Sequence, residues 1–281
     1  MIPAAFEYFR PQTLEEAVGL LNQHGDAAKI LAGGHSLIPA MKLRLAQPGI
    51  VIDLGRIADL NYIREHEGKI AIGAMTTHHD LEASMPLRET CPLLAELAAQ
   101  IGDVQVRNRG TLGGSLAHAD PAADWPAAIL ALGAEMEVLG PKGLRQIPAK
   151  RFFVNLFQTA LRPNEILREI RVPVTAKSVA YVKTAQRASG FAIAGVAVVI
   201  NSAAKTVSVG VTGVAAKPYR ATSVETKLEG QPLTPELISA AAQKAANRIE
   251  PLNDIHASAE YRAHLAKVNT QRALRLAVSR I

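Results

Sequence analysis

The chain has 281 residues, of which 48% are hydrophobic and 20% are charged, so its composition is that of a folded globular protein rather than a disordered one. Its single cysteine, Cys91, excludes a disulfide framework, a four-thiolate zinc site and an iron–sulfur cluster held by this chain alone. The net charge of +6 comes from scattered Lys and Arg residues, and only 4% of residues are aromatic, which argues against a nucleic-acid surface.

Hydropathy along the chain gives no sign of a membrane segment. No window reaches the roughly 18–20 apolar residues of a membrane span. The N-terminal residues also lack a charged region followed by an apolar stretch, which is the pattern of a secretory signal. We therefore expect a cytoplasmic protein.

The first 173 residues mix predicted helices and strands. Thr13 and Glu16 have the spacing of a helix capping box, and the apolar residues after them have helical spacing. Cys91 falls in an amphipathic segment, where we expect a buried, inert thiol. Helices are predicted at 13–23, 39–45, 86–101 and 125–132, and strands at 28–32, 50–54, 62–66, 69–74, 135–139 and 167–172. Pro173 and the polar residues up to Ser178 mark the best candidate for a domain boundary.

Beyond that boundary the predicted strands come first and the helices follow. Strands are predicted at 179–185, 192–201 and 206–214, and helices at 222–228, 235–249 and 259–280. This order indicates a three-stranded antiparallel sheet covered by helices, which is an α+β unit.

The first motif with chemical content is Ala32-Gly33-Gly34-His35-Ser36, which directly follows a predicted strand. Two glycines allow positive φ angles and a close approach of the backbone to a ligand. Successive N–H groups in such a turn bind anions, and His35 and Ser36 add side-chain donors, so the segment suits a pyrophosphate. It lacks the third glycine of a Rossmann fingerprint and the Gly-Lys-Ser/Thr of a Walker loop. Taken alone, the segment is better explained as an ordinary glycine turn with a solvated His.

The second motif, Thr111-Leu112-Gly113-Gly114-Ser115, repeats the combination of paired glycines and flanking hydroxyl groups. Arg107 and Arg109 precede it. Alone it is as weak a signal as the first motif. Together, two such motifs favour one extended phosphate-bearing ligand held by two separate loops.

Two further clusters of titratable residues admit more than one interpretation. Asp124 directly precedes a predicted helix, where it could be an N-cap or a carboxylate close to a cofactor's polar ring edge. His78-His79-Asp80 resembles a metal cluster, but no further ligand stands at a suitable spacing, so no metal site is predicted. Ser36 and Ser115 lack the Gly-x-Ser-x-Gly context of a hydrolase nucleophile, and no catalytic residue is predicted in this chain.

Several blocks of the sequence resemble one family in order and spacing from residue 1 to residue 281. The blocks are AGGHSLIPAMKLRLAQP, GAMTTHHDL, VRNRGTLGGSLAHADPAADWPA and AYVKTAQRASGFAIAGVAV. The family is the FAD-binding medium subunit of bacterial molybdenum hydroxylases, typified by carbon monoxide dehydrogenase, and the same flavin module occurs inside xanthine dehydrogenase.

The resemblance implies an α+β fold and a division into domains. Residues 1–57 and 58–173 would be the two subdomains of a FAD-binding unit of the p-cresol methylhydroxylase type. Residues 174–281 would be the small C-terminal domain, with its three-stranded antiparallel sheet and helices.

The resemblance also implies residues that bind FAD. Residues Ala32, Gly33, Gly34, His35 and Ser36 match the family's first pyrophosphate loop, and Thr111, Gly113, Gly114 and Ser115 match the second, in which Leu112 replaces the more usual Ile. The further cofactor-binding residues implied are Lys29, Asp124, Leu161, Tyr181 and Lys183. This subgroup is similar to the non-covalent binders, so we expect dissociable FAD despite the His after the glycine pair.

The function implied is electron transfer within a heterotrimer. The molybdenum cofactor would lie on a large partner chain and the [2Fe-2S] clusters on a small one, in a complex expected to be a dimer of heterotrimers. FAD on this chain would pass electrons to an external acceptor such as a quinone, NAD or O₂. The alternatives are a stand-alone flavin-dependent oxidoreductase of the same fold and a scaffold that has lost its cofactor, although both glycine motifs are intact.

Overall fold

A computed structural model describes residues 1–281, and its N-terminal part is a small parallel sheet under one helix. The sheet has the order β1-β3-β2, and its elements are β1 (Glu7–Phe9), α1 (Leu14–His24), β2 (Ala28–Leu31), α2 (Leu37–Lys42) and β3 (Ile50–Asp53). The side chain of Thr13 accepts a hydrogen bond from the N–H of Glu16, as the predicted cap requires. The carboxylate of Glu16, however, accepts from the N–H of Gln12. Only one of the two hydrogen bonds of the predicted capping box is therefore present, the one accepted by the Thr13 side chain.

The central part is a five-stranded antiparallel sheet with the order β4-β5-β10-β6-β7. Its strands are β4 (Ile63–His66), β5 (Lys69–Gly73), β6 (Glu135–Gly140), β7 (Gly143–Pro148) and β10 (Ile166–Pro173), and β8 (Phe153–Asn155) and β9 (Gln158–Thr159) form a separate hairpin. Seven helices belong to this part: α3 (His78–Ala83), α4 (Met85–Thr90), α5 (Pro92–Ala98), α6 (Val104–Arg107), α7 (Leu112–His118), α8 (Trp125–Leu132) and α9 (Ala149–Phe152). The largest buried core of the molecule lies between this sheet and its helices.

The single helix predicted over 86–101 is wrong, because the chain forms α4 and α5 with a break at Cys91. Cys91 has φ −155° and ψ 66°, since the ring of Pro92 disfavours the helical conformation in the residue before it. The thiol is fully buried, and burial raises its pKa to about 11. An inert thiol was therefore correctly predicted in a wrongly predicted helix.

The C-terminal part is an antiparallel sheet with the order β11-β12-β13-β14, covered by helices. Its elements are β11 (Val179–Ala185), β12 (Ala192–Asn201), β13 (Thr206–Thr212), β14 (Tyr219–Arg220), α10 (Thr222–Leu228), α11 (Pro235–Ala242) and α12 (Ala259–Val278). The three predicted strands are present, and a fourth strand of two residues extends the sheet. The helix predicted over 235–249 ends at Ala242. None of the twelve helices is both long and apolar enough to cross a membrane.

The C-terminal sheet packs directly on α8 of the central part. A Cβ atom on Gly210 of β13 would overlap the carbonyl oxygen of Ala127, so only a glycine permits this approach. The hydroxyl of Thr212 also donates to the carbonyl oxygens of Pro121 and Ala123, at 2.9 and 2.7 Å. These contacts place the segment before α8 against the C-terminal sheet. The division into residues 1–57, 58–173 and 174–281 stays a prediction.

Candidate functional site

The first glycine motif, residues 32–36, forms the turn between β2 and α2. Gly34 has φ +79°, a conformation that favours glycine. The backbone N–H groups of residues 33–36 have no acceptor within the protein. The side chains of His35 and Ser36 are exposed, and Ser36 makes no capping bond to α2. Four successive free donors in an open turn are suited to an anionic ligand.

The second glycine motif, residues 111–115, is the start of helix α7 rather than the turn that its composition indicated. Thr111 is the N-cap, and its hydroxyl oxygen accepts from the N–H of Gly114 at 3.1 Å. The N–H of Gly113 donates to the carbonyl of Ala74 at 2.9 Å, and that of Ser115 to the carbonyl of Thr111 at 3.1 Å. The backbone donors of residues 113–115 are therefore used inside the protein.

The fold brings the two glycine motifs into contact, although 75 or more residues separate them in the sequence. A Cβ atom on Gly33 would overlap the carbonyl oxygen of Arg109 and lie 2.8 Å from the Cα of Gly110. A Cβ atom on Gly114 would lie 3.2 Å from the Cβ of Ala32. The two motifs are therefore neighbours in the fold, and a single phosphate-bearing ligand held by both stays a prediction.

Asp124, Tyr181 and Lys183 form a second group of predicted site residues that lie together. The Tyr181 hydroxyl donates to Asp124 Oδ1 at 2.5 Å, and Lys183 Nζ lies 3.0 Å from the same oxygen. Lys183 Nζ also donates to the carbonyl oxygens of Gln100 and Gly190, at 2.6 and 2.9 Å. Asp124 occupies the N-cap position of α8, but its side chain makes no capping bond there.

Burial dominates the electrostatics of this triad. It raises the pKa of the Asp124 carboxyl, while the charge of Lys183 and the hydrogen bond from Tyr181 act in the opposite direction. Burial, together with the neighbouring carboxylate of Asp124, raises the pKa of Tyr181 well above its ordinary value. Tyr181 is therefore a protonated donor to Asp124 at neutral pH.

Two further predicted site residues, Lys29 and Leu161, make no hydrogen bond to the glycine motifs or to the triad. Lys29 is an exposed residue of β2. Leu161 follows β9, packs half-buried against the central core, and donates its N–H to the Thr159 hydroxyl at 3.3 Å. Their roles toward a cofactor stay predictions.

His78 was considered in the sequence only as part of a candidate metal cluster, and its actual partner in the fold was not predicted. It is the first residue of α3, and its Nδ1 accepts a hydrogen bond from the indole N–H of Trp125 at 3.1 Å. Asp80 of the same cluster completes a capping box with Thr77 instead of binding a metal. The Thr-x-x-Asp spacing could have predicted that box, but no local pattern pairs His78 with a residue 47 positions away.

Comparisons with known proteins decide which family has this site. A family model described as the FAD binding domain in molybdopterin dehydrogenase matches residues 4–175. A second model, the CO dehydrogenase flavoprotein C-terminal domain, matches residues 179–277. The chain belongs to this family of flavoprotein subunits. As the resemblance implied, it is a medium, FAD-binding subunit of the molybdenum-containing dehydrogenases.

Individual relatives match over the whole length of the subunit. The carbon monoxide dehydrogenase medium chain of Hydrogenophaga pseudoflava is 44% identical, over 100% of this chain and 99% of that one. The nicotine 6-hydroxylase medium subunit of Paenarthrobacter nicotinovorans is 38% identical, over 96% of each chain. A solved structure of the H. pseudoflava carbon monoxide dehydrogenase superimposes with a TM-score of 0.96 at 45% identity, over 100% of this subunit and 99% of that chain.

The residues of the first motif fit the cofactor of this family. FAD carries a diphosphate, and the four free N–H groups of residues 33–36 are donors of the kind that bind its oxygens. Gly33 has no side chain and Ala32 has only a methyl group facing the second motif, where Ser115 adds a half-buried hydroxyl. The donor set contains no carboxylate that would repel the anion.

Proposed function

We propose that this subunit is the FAD-binding electron-transfer chain of a heterotrimeric molybdenum hydroxylase. It would take electrons from [2Fe-2S] clusters on a small partner chain and pass them to an external acceptor. The observation that carries this proposal is the contact between the two glycine motifs, which joins four free backbone donors to the start of α7. The family membership supplies the identity of the cofactor.

Each group of residues has a distinct task in this proposal. The N–H groups of residues 33–36 would bind the diphosphate, without a covalent bond from the exposed His35. The buried triad of Asp124, Tyr181 and Lys183 would set the charge and hydrogen-bonding environment beside the redox-active ring. When bound, FAD supplies the ability to accept electrons singly and to release them in pairs. The protein contributes binding, orientation and electrostatics.

The need for partner chains follows from the thiol content. A [2Fe-2S] cluster in a Cys₄ site requires four thiolates, and this subunit has one cysteine, fully buried with its pKa raised by burial to about 11. Another chain would therefore hold the cluster, and a large chain would hold the molybdenum cofactor. We propose a dimer of such heterotrimers, located in the cytoplasm.

The decisive experiment compares the subunit alone with the subunit co-expressed with a large molybdenum-cofactor chain and a small [2Fe-2S] chain from the same organism. We expect a yellow protein whose flavin is bleached anaerobically by the substrate only in the full complex. A chain that stays colourless after FAD is added would contradict the proposal. A yellow chain that oxidises an organic substrate without partners would favour the stand-alone oxidoreductase instead.

Partner composition and location have their own measurements. Analytical ultracentrifugation of the complex should give the mass of two copies of each of the three chains, and cell fractionation should recover it with cytoplasmic markers. A complex of one heterotrimer, or recovery in the periplasmic or membrane fraction, would contradict these two parts of the proposal.

A further inference from the structure

His78 combines deep burial with a hydrogen-bonding group that the protein does not use. Its side chain is almost completely enclosed, with a residue exposure of 5%. The bond from Trp125 occupies Nδ1 as an acceptor, at 3.1 Å. No other hydrogen bond to the imidazole ring is present. The unpaired Nε2 is not one of the completely enclosed polar atoms, so it keeps access to the space outside the protein and can meet a ligand there.

The bond from Trp125 fixes which ring nitrogen carries the proton. An indole N–H only donates, so Nδ1 of His78 must be unprotonated. In a neutral imidazole the proton then lies on Nε2, which becomes a donor. Burial, together with the nearby His35 and Arg107, lowers the pKa of His78 to about 4. At neutral pH the ring is thus an uncharged Nε2–H donor.

Nε2 lies beside Gly110, the residue directly before the second glycine motif. A Cβ atom on Gly110 would lie 2.7 Å from it, so Nε2 occupies the side of Gly110 that a side chain would fill. The other neighbour of Gly110 is the first motif, because a Cβ atom on Gly33 would lie 2.8 Å from the Cα of Gly110. The main chain of His78 is fixed at the same place, since its N–H donates to the Gly110 carbonyl at 2.9 Å.

We propose that His78 is a further cofactor-binding residue, whose Nε2–H donates a hydrogen bond to a diphosphate oxygen of FAD where the two motifs meet. This inference rests on the proposed function. Trp125 is the positioning residue that sets the tautomer. His78 also links the two groups of site residues, because Trp125 directly follows Asp124 in the chain.

Two isosteric variants separate the roles of the two ring nitrogens. His78→Asn places an oxygen near the position of Nδ1, which keeps an acceptor for Trp125, and removes the Nε2 donor. His78→Gln places an amide N–H near the position of Nε2. The control is His79→Asn, which alters the adjacent, exposed histidine. Each full-length variant is stripped of flavin and titrated with FAD and with riboflavin, which lacks the diphosphate.

We expect the dissociation constant for FAD to rise about 10- to 100-fold in His78→Asn, the range for a hydrogen bond to a charged acceptor. It should rise less in His78→Gln and stay unchanged in His79→Asn. Riboflavin affinity should change by less than about twofold. Unchanged FAD affinity in a folded His78→Asn would overturn the inference. A wild-type chain that binds no FAD would instead overturn the proposed function itself.

A spectroscopic measurement on the wild-type chain keeps the inference testable even if His78→Asn does not fold. In protein labelled with ¹⁵N-histidine, His78 should show the Nε2–H tautomer before FAD is added. Its Nε2 resonance should shift on addition of FAD and remain in place with riboflavin. A protonated Nδ1, or an Nε2 resonance that ignores FAD, would overturn the inference.

Discussion

The two glycine motifs are built from the same residue types and are used in opposite ways. Residues 32–36 form an open turn whose backbone donors have no acceptor within the protein. Residues 111–115 start a helix, and there the donors of Gly113, Gly114 and Ser115 are all paired internally. The first motif therefore has hydrogen-bond donors available for a ligand, while the donors of the second motif hold the start of α7 in place beside it.

The two motifs also require their glycines for different reasons, one for its backbone angle and the other for lack of space. Gly34 is required by its backbone angle, since φ is +79° and its nearest neighbour is the flexible end of Ile38. Gly113 has helical geometry and is required by space, because a Cβ atom there would lie 2.5 Å from the Cβ and 2.6 Å from the carbonyl oxygen of Ala74. A glycine pair in a sequence thus does not by itself reveal whether the backbone binds a ligand or packs against the protein.

Gly113→Ala tests the packing role of the second motif. We expect the free energy of unfolding to fall by about 3 kcal/mol, because the new methyl group meets main-chain atoms of Ala74 that cannot rotate away. Gly19→Ala is the matched control, since Gly19 is also helical but has open space around it, and there we expect a gain of about 0.5–1 kcal/mol. Denaturant unfolding measures both, and equal values would remove the packing role of the second motif.

Gly34→Val tests the first motif. The variant should fold with a loss of stability of about 1–2 kcal/mol, and its FAD affinity should fall by about 100-fold, because a side chain blocks the approach to the backbone donors. Gly68→Val has a similar positive φ, in a hairpin turn with open space, and should lose stability without losing FAD. Flavin titration checks the pair. If folded Gly34→Val still binds FAD with wild-type affinity, residues 32–36 are not the loop that binds the diphosphate.

The sequence predicted the parts of this site that depend on local pattern. The turn after β2 follows from Gly33 and Gly34, and the C-terminal strands follow from their apolar, β-branched residues. It did not predict that the second motif is helical, because Gly113 and Gly114 are poor helix formers and only the Thr111 cap and the contact with Ala74 favour that conformation. The pairing of His78 with Trp125 depends on tertiary packing and leaves no local signal.

The pKa of His78 tests whether the place where the two motifs meet is enclosed by protein, like the second motif, or open to solvent, like the first. Its pKa is lowered to about 4 in the folded chain by burial, against about 6.5 unfolded. As the pH falls, the unfolded chain therefore binds a proton at His78 before the folded chain does. The free energy of unfolding consequently decreases below pH 7. Between pH 7 and pH 5 this loss should be about 2 kcal/mol, measured in the flavin-free chain as the excess over His78→Asn. If the free energy of unfolding depends on pH in the same way in the wild-type chain and in His78→Asn, the His78 ring is open to solvent rather than enclosed.

The hydroxyl groups of the two motifs should differ in how much they contribute to the free energy of unfolding. Thr111→Ala should lower the free energy of unfolding by about 1 kcal/mol, because the Thr111 oxygen is the only cap for the N–H of Gly114. Ser36→Ala should change it by less than about 0.5 kcal/mol, since the Ser36 side chain makes no capping bond. Both are measured by denaturant unfolding without flavin. Equal losses would mean that the first motif is stabilised from within like the second, and its free donors would then no longer set it apart as the ligand-binding turn.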